Sequence, residues 1–297
     1  RNRFADRADA GAQALLNGCR GYYTVSLPAH DGRSLGAADV LPEGVGYLAV
    51  TVGSKGSAKI AGVLADGTKV SQASRLIVFG EDGACVPLFA PLYSKRGWAG
   101  GLLWLDGATR ALVTDRDLGW YVRWENPGKG PEGFSMLLDA CGGWYGSVPS
   151  LAAHYLFTAE VGDAPYAYAG GAADFAAEAL PEGLGVTVAG LRLSLDKGAK
   201  PVKNADGSYS YGGNSSMAKL SFTPRTGLFK GSFSLYYDYD SGGRPQHKTV
   251  VAPYAGALTP VRDGAFGDLP PGMGHCLVPD NNPAWKSYKV KRSFPVW

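Results

Sequence analysis

The stretch LSFTPRTGLFKGSFSLYYDY, from Leu220 to Tyr239, carries the strongest structural signal in the sequence. Apolar and polar residues alternate on both sides of PRTG, which is typical of two β-strands joined by a tight turn. A similar phrase, LAVTVGSKGSAKIAGVL, runs from Leu48 to Leu64. The two phrases predict an antiparallel hairpin in each half of the chain.

The two hairpin phrases share glycine and lysine residues at similar spacings. The matching positions are Gly56, Lys59 and Gly62 in the first half, and Gly227, Lys230 and Gly231 in the second, with a small shift of register. Further along, WAGGLL (Trp98–Leu103) in the first half parallels YAGALT (Tyr254–Thr259) in the second. Two parallels in the same order favour an internal duplication.

The composition suits a protein made of short strands and turns. Among 297 residues there are 43 Gly and 19 Pro, and the hydrophobic share of 45% supplies ample material for cores. A net charge of +3 with scattered Lys and Arg gives no footprint of nucleic-acid binding. No apolar run approaches the roughly 18 residues that a membrane-spanning helix needs, so we expect no membrane span.

We therefore expect an all-β fold made of two duplicated small antiparallel β-barrels, or two sandwiches, with a short N-terminal helix. Strands at intervals of about 8–12 residues fit either form, and glycines within the strands mark bends where a sheet curls. The predicted division is an N-terminal helical arm (1–20), a first β module (21–148) and a second (149–297). The second module is expected to begin with a strand at His154–Val161, followed by a helical turn around Asp174–Leu180.

Several phrases together resemble repeated modules of large secreted or surface-attached bacterial proteins. They are GYYTVSLP, KIAGVLADGTKVS, FTPRTGLFKGSF, VVAPYAGALTP, GMGHCLVP and the terminal YKVKRSFPVW. The resemblance covers most of the chain from about Gly21 onward. It implies a tandem β-rich architecture and a secreted or extracellular cell-surface location, and it implies no particular chemistry.

The sequence contains no assembled catalytic or metal-binding motif, so we predict no cofactor and no metal. Its histidines, His30, His154, His247 and His275, are isolated and show no HxH or HExxH spacing. The four cysteines, Cys19, Cys85, Cys141 and Cys276, lie far apart; two disulfides and buried thiols both remain open. Because neighbours in a strand point to opposite faces, His275 and Cys276 are not expected to pair.

The aromatic residues offer the best candidates for a binding site. In GWYVRWENP, the two-residue period of a strand places Trp120, Val122 and Trp124 on one face and Tyr121, Arg123 and Glu125 on the other. The first face is wholly apolar and is expected to fill the core. Exposed aromatic rings stack on the apolar faces of sugars, so the candidate ligand-binding residues are Tyr121, Arg123, Trp98 and Trp144.

The sequence leaves three functions open. The favoured one is a non-catalytic extracellular module pair that binds a glycan or a partner surface, or that acts as a spacer in a bacterial surface protein. The second is a hydrolase of polysaccharides with carboxylates from separate strands, for which Asp115, Asp117 and Glu125 are the candidates. The third is a surface or fibre component that self-associates through edge strands.

Overall fold

Strands dominate the architecture, as predicted. A computed structural model of the protein describes residues 9–30, 34, 41–79, 83–115, 117–128, 133–146, 199–210, 217, 219–240, 242–260, 272–279 and 291–296. These residues form several antiparallel sheets and one α-helix, which confirms the all-β class with a short N-terminal helix. No helix in these ranges is both long enough and apolar enough to cross a bilayer. The predicted elements at His154–Val161 and Asp174–Leu180 lie outside the described residues.

The elements of the first half are α1 (Ala10–Cys19), β1 (Gly21–Leu27), β2 (Gly46–Val52), β3 (Ser57–Val63), β4 (Lys69–Arg75), β5 (Ile77–Phe79), β6 (Gly83–Leu92), β7 (Gly97–Asp106), β8 (Leu112–Val113), β9 (Val122–Asn126), β10 (Phe134–Leu138) and β11 (Cys141–Trp144). Those of the second half are β12 (Val202–Lys203), β13 (Tyr209–Ser210), β14 (Lys219–Thr223), β15 (Leu228–Asp240), β16 (Pro245–Leu258), β17 (Gly272–Pro279) and β18 (Lys291–Val296).

The first half forms two sheets around one hydrophobic core. The first sheet has the strand order β11-β1-β2-β3-β4, and the second has the order β10-β9-β7-β6-β5 with β8 beside β7. Alternate residues of both sheets point inward, and Tyr23, Val50, Leu103 and Trp124 are among those that are buried in the core. Burying large apolar side chains contributes roughly 1.5–3 kcal/mol each, so this core supplies most of the stability of the first half.

The two sheets are connected at both margins. At one margin β4 passes through the buried Leu76 directly into β5, and the Gln72 side chain bridges to the backbone of β6 at Pro87 and Phe89. At the other margin Ala29 and Leu138 form an isolated bridge. These connections suit a sheet that curls on itself, and the choice between barrel and sandwich stays a prediction.

The N-terminal helix belongs to the same core. Asp9 caps it by accepting a 2.9 Å hydrogen bond from the backbone N–H of Ala12, which satisfies one of the donors left open at a helix start. Leu15, Leu16 and Cys19 are buried against the first half. The helix ends at Cys19, one residue beyond the Gly18 stop that the sequence suggests.

The second half contains a five-stranded antiparallel sheet with the order β14-β15-β16-β17-β18. Its centre is a reciprocal pairing of aromatic and glycine residues. Phe229 lies directly opposite Gly256, and Gly231 lies directly opposite Tyr254. In both pairs the ring occupies the space that any side chain at the glycine position would need. Rings from two neighbouring strands therefore pack on one face. This pairing explains the spacing of FKG and YAG in the sequence.

Both predicted hairpins are present, as β2–β3 and β14–β15. Their turn glycines have the same left-handed backbone, with φ of 69° at Gly56 and 68° at Gly227. The later parallel differs between the halves. WAGGLL lies in β7 of the second sheet, apart from the first hairpin, whereas YAGALT lies in β16 beside the second hairpin. The duplication, like the division at residues 20 and 148, stays a prediction.

The five-stranded sheet β14–β18, which we call the C-terminal sheet, packs on the outer side of the first sheet through polar contacts. The Thr24 hydroxyl donates to the carbonyl of Leu258 at 2.6 Å, and the hydroxyls of Ser26 and Thr259 lie 3.1 Å apart. His275 Nδ1 lies 3.1 Å from the carbonyl oxygen of Val45. Thr24, Ser26 and His275 are all buried, so these groups are satisfied across the interface rather than by water.

The buried His275 predicts a specific pH dependence of stability. Burial lowers the pKa of His275 from its ordinary value of 6.5, so the folded protein binds this proton less readily than the unfolded chain. Above about pH 6.5 the imidazole is neutral in both states and protonation costs the folded state nothing. As the pH falls below that value, the unfolded chain takes up the proton more readily, and the free energy of unfolding declines. We expect the free energy of unfolding to fall more between pH 7 and pH 5 in the native protein than in His275→Gln, measured by urea denaturation. Equal pH dependence in the two proteins would rule out this role.

The pairing of Gly231 with Tyr254 predicts a large cost for any side chain at position 231. A methyl group there would overlap the Lys219 carbonyl and the Tyr254 ring, and overpacking of this kind costs about 1–3 kcal/mol. Gly11 is a matched control, because a methyl group at this helical position meets only the Asp9 carboxylate at 3.7 Å. Thermal denaturation should show Gly231→Ala destabilised and Gly11→Ala unchanged or stabilised. Similar melting temperatures for both variants would contradict the packing described.

Candidate functional site

The outward face of the second sheet carries the strongest candidate site. Val122 and Trp124 are fully buried in the core, so alternation along β9 places Tyr121, Arg123 and Glu125 on the outside. The predicted orientation is therefore confirmed for Val122 and Trp124. The expectation that Trp120 also fills the core is wrong: it is half-buried and precedes the strand, where its backbone N–H closes a turn by donating to the carbonyl of Asp115.

The register of the sheet brings side chains from neighbouring strands beside those of β9. Trp98 of β7 lies opposite Glu125, and Ser135 of β10 lies opposite Glu125 on its other side. Gly100 of β7 lies between Phe89 of β6 and Arg123 of β9. We call this surface the aromatic face; its residues are Phe89, Trp98, Tyr121, Arg123, Glu125 and Ser135.

Two rings form the platform of the aromatic face. The ring centroids of Phe89 and Trp98 are 6.0 Å apart with an interplanar angle of 29°, and the Phe89 side chain is 59% exposed. Both rings lie close to Gly100, where a side chain would crowd them. The Arg123 guanidinium carbon lies 6.0 Å from the centre of the Trp98 ring, at the outer limit of a cation–π contact. The glycine therefore allows two aromatic rings and a cation to occupy adjacent positions.

A hydrogen-bond network holds the Arg123 and Glu125 side chains beside the rings. Arg123 Nε donates to Glu125 Oε1 at 2.5 Å, and the Ser135 hydroxyl donates to the same oxygen at 2.7 Å. The Arg123 side chain is 56% exposed and that of Glu125 is 25% exposed. Since Nε is occupied, the two Nη groups remain as donors for a ligand, and they make no hydrogen bond to any described residue.

A histidine–carboxylate pair lies at the far end of the aromatic face. His30 Nδ1 lies 3.2 Å from Asp139 Oδ2, and the Asp139 side chain is only 2% exposed. The His30 ring packs on the Tyr121 ring with a centroid distance of 4.4 Å. This pair joins residues 109 positions apart in the sequence. The buried carboxylate thereby orients the imidazole, and the imidazole supports Tyr121.

The structure separates Trp144 from the other candidates. Trp98, Tyr121 and Arg123 share the aromatic face, whereas Trp144 belongs to β11 of the first sheet. The guanidinium of Arg110 lies 4.4 Å from the centre of the Trp144 ring, and Gly21 lies beneath the ring edge. Trp144 therefore lies in a separate structural cluster.

Two of the three carboxylates considered for hydrolysis, Asp115 and Glu125, have local structural partners. Asp115 accepts the backbone N–H of Leu118 at 3.0 Å and so closes the turn before β9, where Asp117 is exposed. Glu125 holds Arg123 and Ser135. Both contacts use carboxylate oxygens to fix the chain around the aromatic face.

All four cysteines are buried. Burial is the main cause that raises the pKa of Cys19 to about 11, and burial also raises the pKa of Cys85. At neutral pH these two groups are therefore thiols with little thiolate, the form that reacts as a nucleophile. His275 and Cys276 lie opposite Ala255 and Tyr254 respectively, on opposite faces of β17, as alternation predicts.

Comparison with known proteins identified no relative: no protein-family model, no curated protein and no solved structure matches this chain.

Two tryptophans on opposite faces of the second sheet provide a direct stability test. Trp124→Ala removes a fully buried side chain and should cost about 3–5 kcal/mol of unfolding free energy. Trp98→Ala removes a half-buried surface ring and should cost about 1 kcal/mol or less. Chemical denaturation of both variants measures this difference. A Trp98→Ala cost equal to that of Trp124→Ala would show that Trp98 is a core residue and contradict the outward face.

Proposed function

We propose that this protein is a non-catalytic binding module that recognises a glycan through the aromatic face. The observation that supports this most is the exposed Phe89–Trp98 platform with the Arg123–Glu125 pair fixed beside it. A sugar ring has apolar C–H faces that stack on aromatic rings, and hydroxyl groups at its rim that need hydrogen-bond partners. The aromatic face provides both kinds of contact on adjacent strands.

The polar composition of the aromatic face favours a glycan over a flat protein partner. The cores of protein–protein interfaces are depleted of charged residues. Here a guanidinium, a carboxylate and a hydroxyl converge beside the rings, at Arg123, Glu125 and Ser135. Donors and acceptors at this density suit a ligand that is rich in hydroxyl groups.

The sheet also provides rigidity, which limits the entropy lost on binding. Trp98, Arg123 and Ser135 lie on three adjacent hydrogen-bonded strands, and their neighbours Val122, Trp124 and Met136 are buried in the core. A pre-ordered face loses less freedom on binding than a loop does. An extracellular location belongs to the same proposal and rests on the sequence resemblance.

The proposal predicts loss of glycan binding when either ring is removed. Phe89→Ala and Trp98→Ala should each weaken binding at least tenfold, since a lost stacking contact of about 1.4 kcal/mol corresponds to a factor of ten. Affinity electrophoresis through gels that contain individual polysaccharides, followed by calorimetry, measures the effect.

Val251→Ala is the matched control, because Val251 is a 58% exposed apolar residue on β16, in a different sheet from the aromatic face. It should bind as the native protein does. If glycan binding were unchanged in both Phe89→Ala and Trp98→Ala, the aromatic face would not be the binding site. If the protein bound a protein partner and none of the polysaccharides, the ligand of the aromatic face would be a protein surface and not a glycan.

A further inference from the structure

The connection between β6 and β7 has an unusual backbone. Three consecutive residues that are not glycine have left-handed conformations, with φ of 52° at Tyr93, 58° at Ser94 and 68° at Lys95. Each such residue costs of order 1 kcal/mol or more, and the cost persists only where the surrounding structure enforces the conformation. Glycine would remove the strain at these positions. We call this segment, Tyr93–Arg96, the basic turn.

Partly buried hydrogen bonds tie the basic turn to the core. The Tyr93 hydroxyl donates to Asp66 Oδ2 at 2.6 Å and accepts from Trp124 Nε1 at 2.9 Å. Asp66 is itself held by the backbone N–H and the hydroxyl of Thr68, both at 2.8 Å. The turn is therefore built on the core and is not a loose loop.

The basic turn connects the two strands that carry the platform rings. The last ladder pair before it joins Leu92 to Gly97, and the preceding pair joins Pro91 to Trp98. Ser94, Lys95 and Arg96 are exposed, and Arg96 Nη1 lies 3.4 Å from the carbonyl oxygen of Gly128. Lys95 and Arg96 thus lie within three residues of Trp98, at the end of the aromatic face.

Among the residues that the structure describes, the exposed charged side chains next to the platform are cationic. Lys95, Arg96 and Arg123 are exposed cations, whereas the two nearby carboxylates are both engaged: Glu125 pairs with Arg123, and Asp66 accepts hydrogen bonds from Thr68 and Tyr93. At the opposite end the carboxylate of Asp139 is buried and paired with His30. Neither Lys95 nor Arg96 forms an ion pair with a described carboxylate, so both cations can attract an anionic group at this end of the face.

We propose that the glycan bound by the aromatic face is anionic, with its sugar ring on Phe89 and Trp98 and its carboxylate or sulfate group bound by Lys95 and Arg96. This inference rests on the proposed function. Charged hydrogen bonds to a carboxylate or sulfate are about twice as strong as neutral ones, which gives the strained turn a role in recognition.

The test compares glycans that differ only in charge. The probes are polygalacturonate against its methyl-esterified form, and dextran sulfate against dextran, titrated calorimetrically into the full chain at low and high salt. The native protein should bind at least one acidic form tenfold or more tighter than its neutral partner, and the preference should shrink as salt rises. Equal binding of the acidic and neutral forms would overturn the inference and leave the proposed function standing.

Two double variants with the same change of net charge separate the basic turn from general electrostatics. Lys95→Gln with Arg96→Gln should remove most of the preference for the acidic form, with Arg123 left as the remaining cation of the face. Lys55→Gln with Lys69→Gln, exposed on the first sheet, should keep the preference. Preference retained in the first double variant, or lost equally in both, would overturn the inference. Failure of the native protein to bind any of the four probes would overturn it as well, and failure on a broad polysaccharide panel would also remove the proposed function.

Discussion

A short chain of partly buried hydrogen bonds, Trp124 to Tyr93 to Asp66, determines how the second sheet presents its outer surface. It connects β9, the basic turn and the connection between β3 and β4, three segments that are far apart in the sequence. Burial and the neighbouring Asp66 carboxylate raise the pKa of Tyr93 well above its ordinary value, so its hydroxyl stays protonated and can donate. With Trp124 fixed inward, alternation leaves Arg123 and Glu125 no position except the outside, and the same bonds hold the turn in its strained form.

In two of the sheets, glycine residues leave the space in which aromatic rings pack. In the second sheet Gly100 makes room for Phe89 and Trp98, and in the C-terminal sheet Gly231 and Gly256 make room for Tyr254 and Phe229. The consequences differ, because the first set of rings faces solvent and the second is buried. The same glycine–ring packing therefore builds part of a core in one sheet and an exposed aromatic surface in the other.

The periodic features of the sequence predicted the structure well. Alternation identified both hairpins and the two faces of β9, because a strand reverses its side chains at every residue. The proximity of Trp98, Tyr121 and Arg123 depended on strand register, which single-strand periodicity does not specify. Phe89 was missed, although its position opposite the WAGG glycines suggests its role once the pairing is known.

Two features of the aromatic face were beyond sequence reasoning. The His30–Asp139 pair joins positions 109 residues apart, and no local spacing signals such a contact. The left-handed turn at YSK lacks the glycine that ordinarily marks positive φ, because buried contacts of Tyr93 replace intrinsic preference. In both cases tertiary packing decides the local conformation, and the sequence signal appears only after the partner is known.

The most direct test of the outward aromatic face is a nuclear magnetic resonance titration that follows the indole N–H signals of the tryptophans as short galacturonate oligomers are added. We expect the Trp98 signal to shift progressively, while that of Trp124, buried and hydrogen-bonded to Tyr93, stays in place. A shift of the Trp144 signal with Trp98 unmoved would contradict this assignment and place binding on the first sheet.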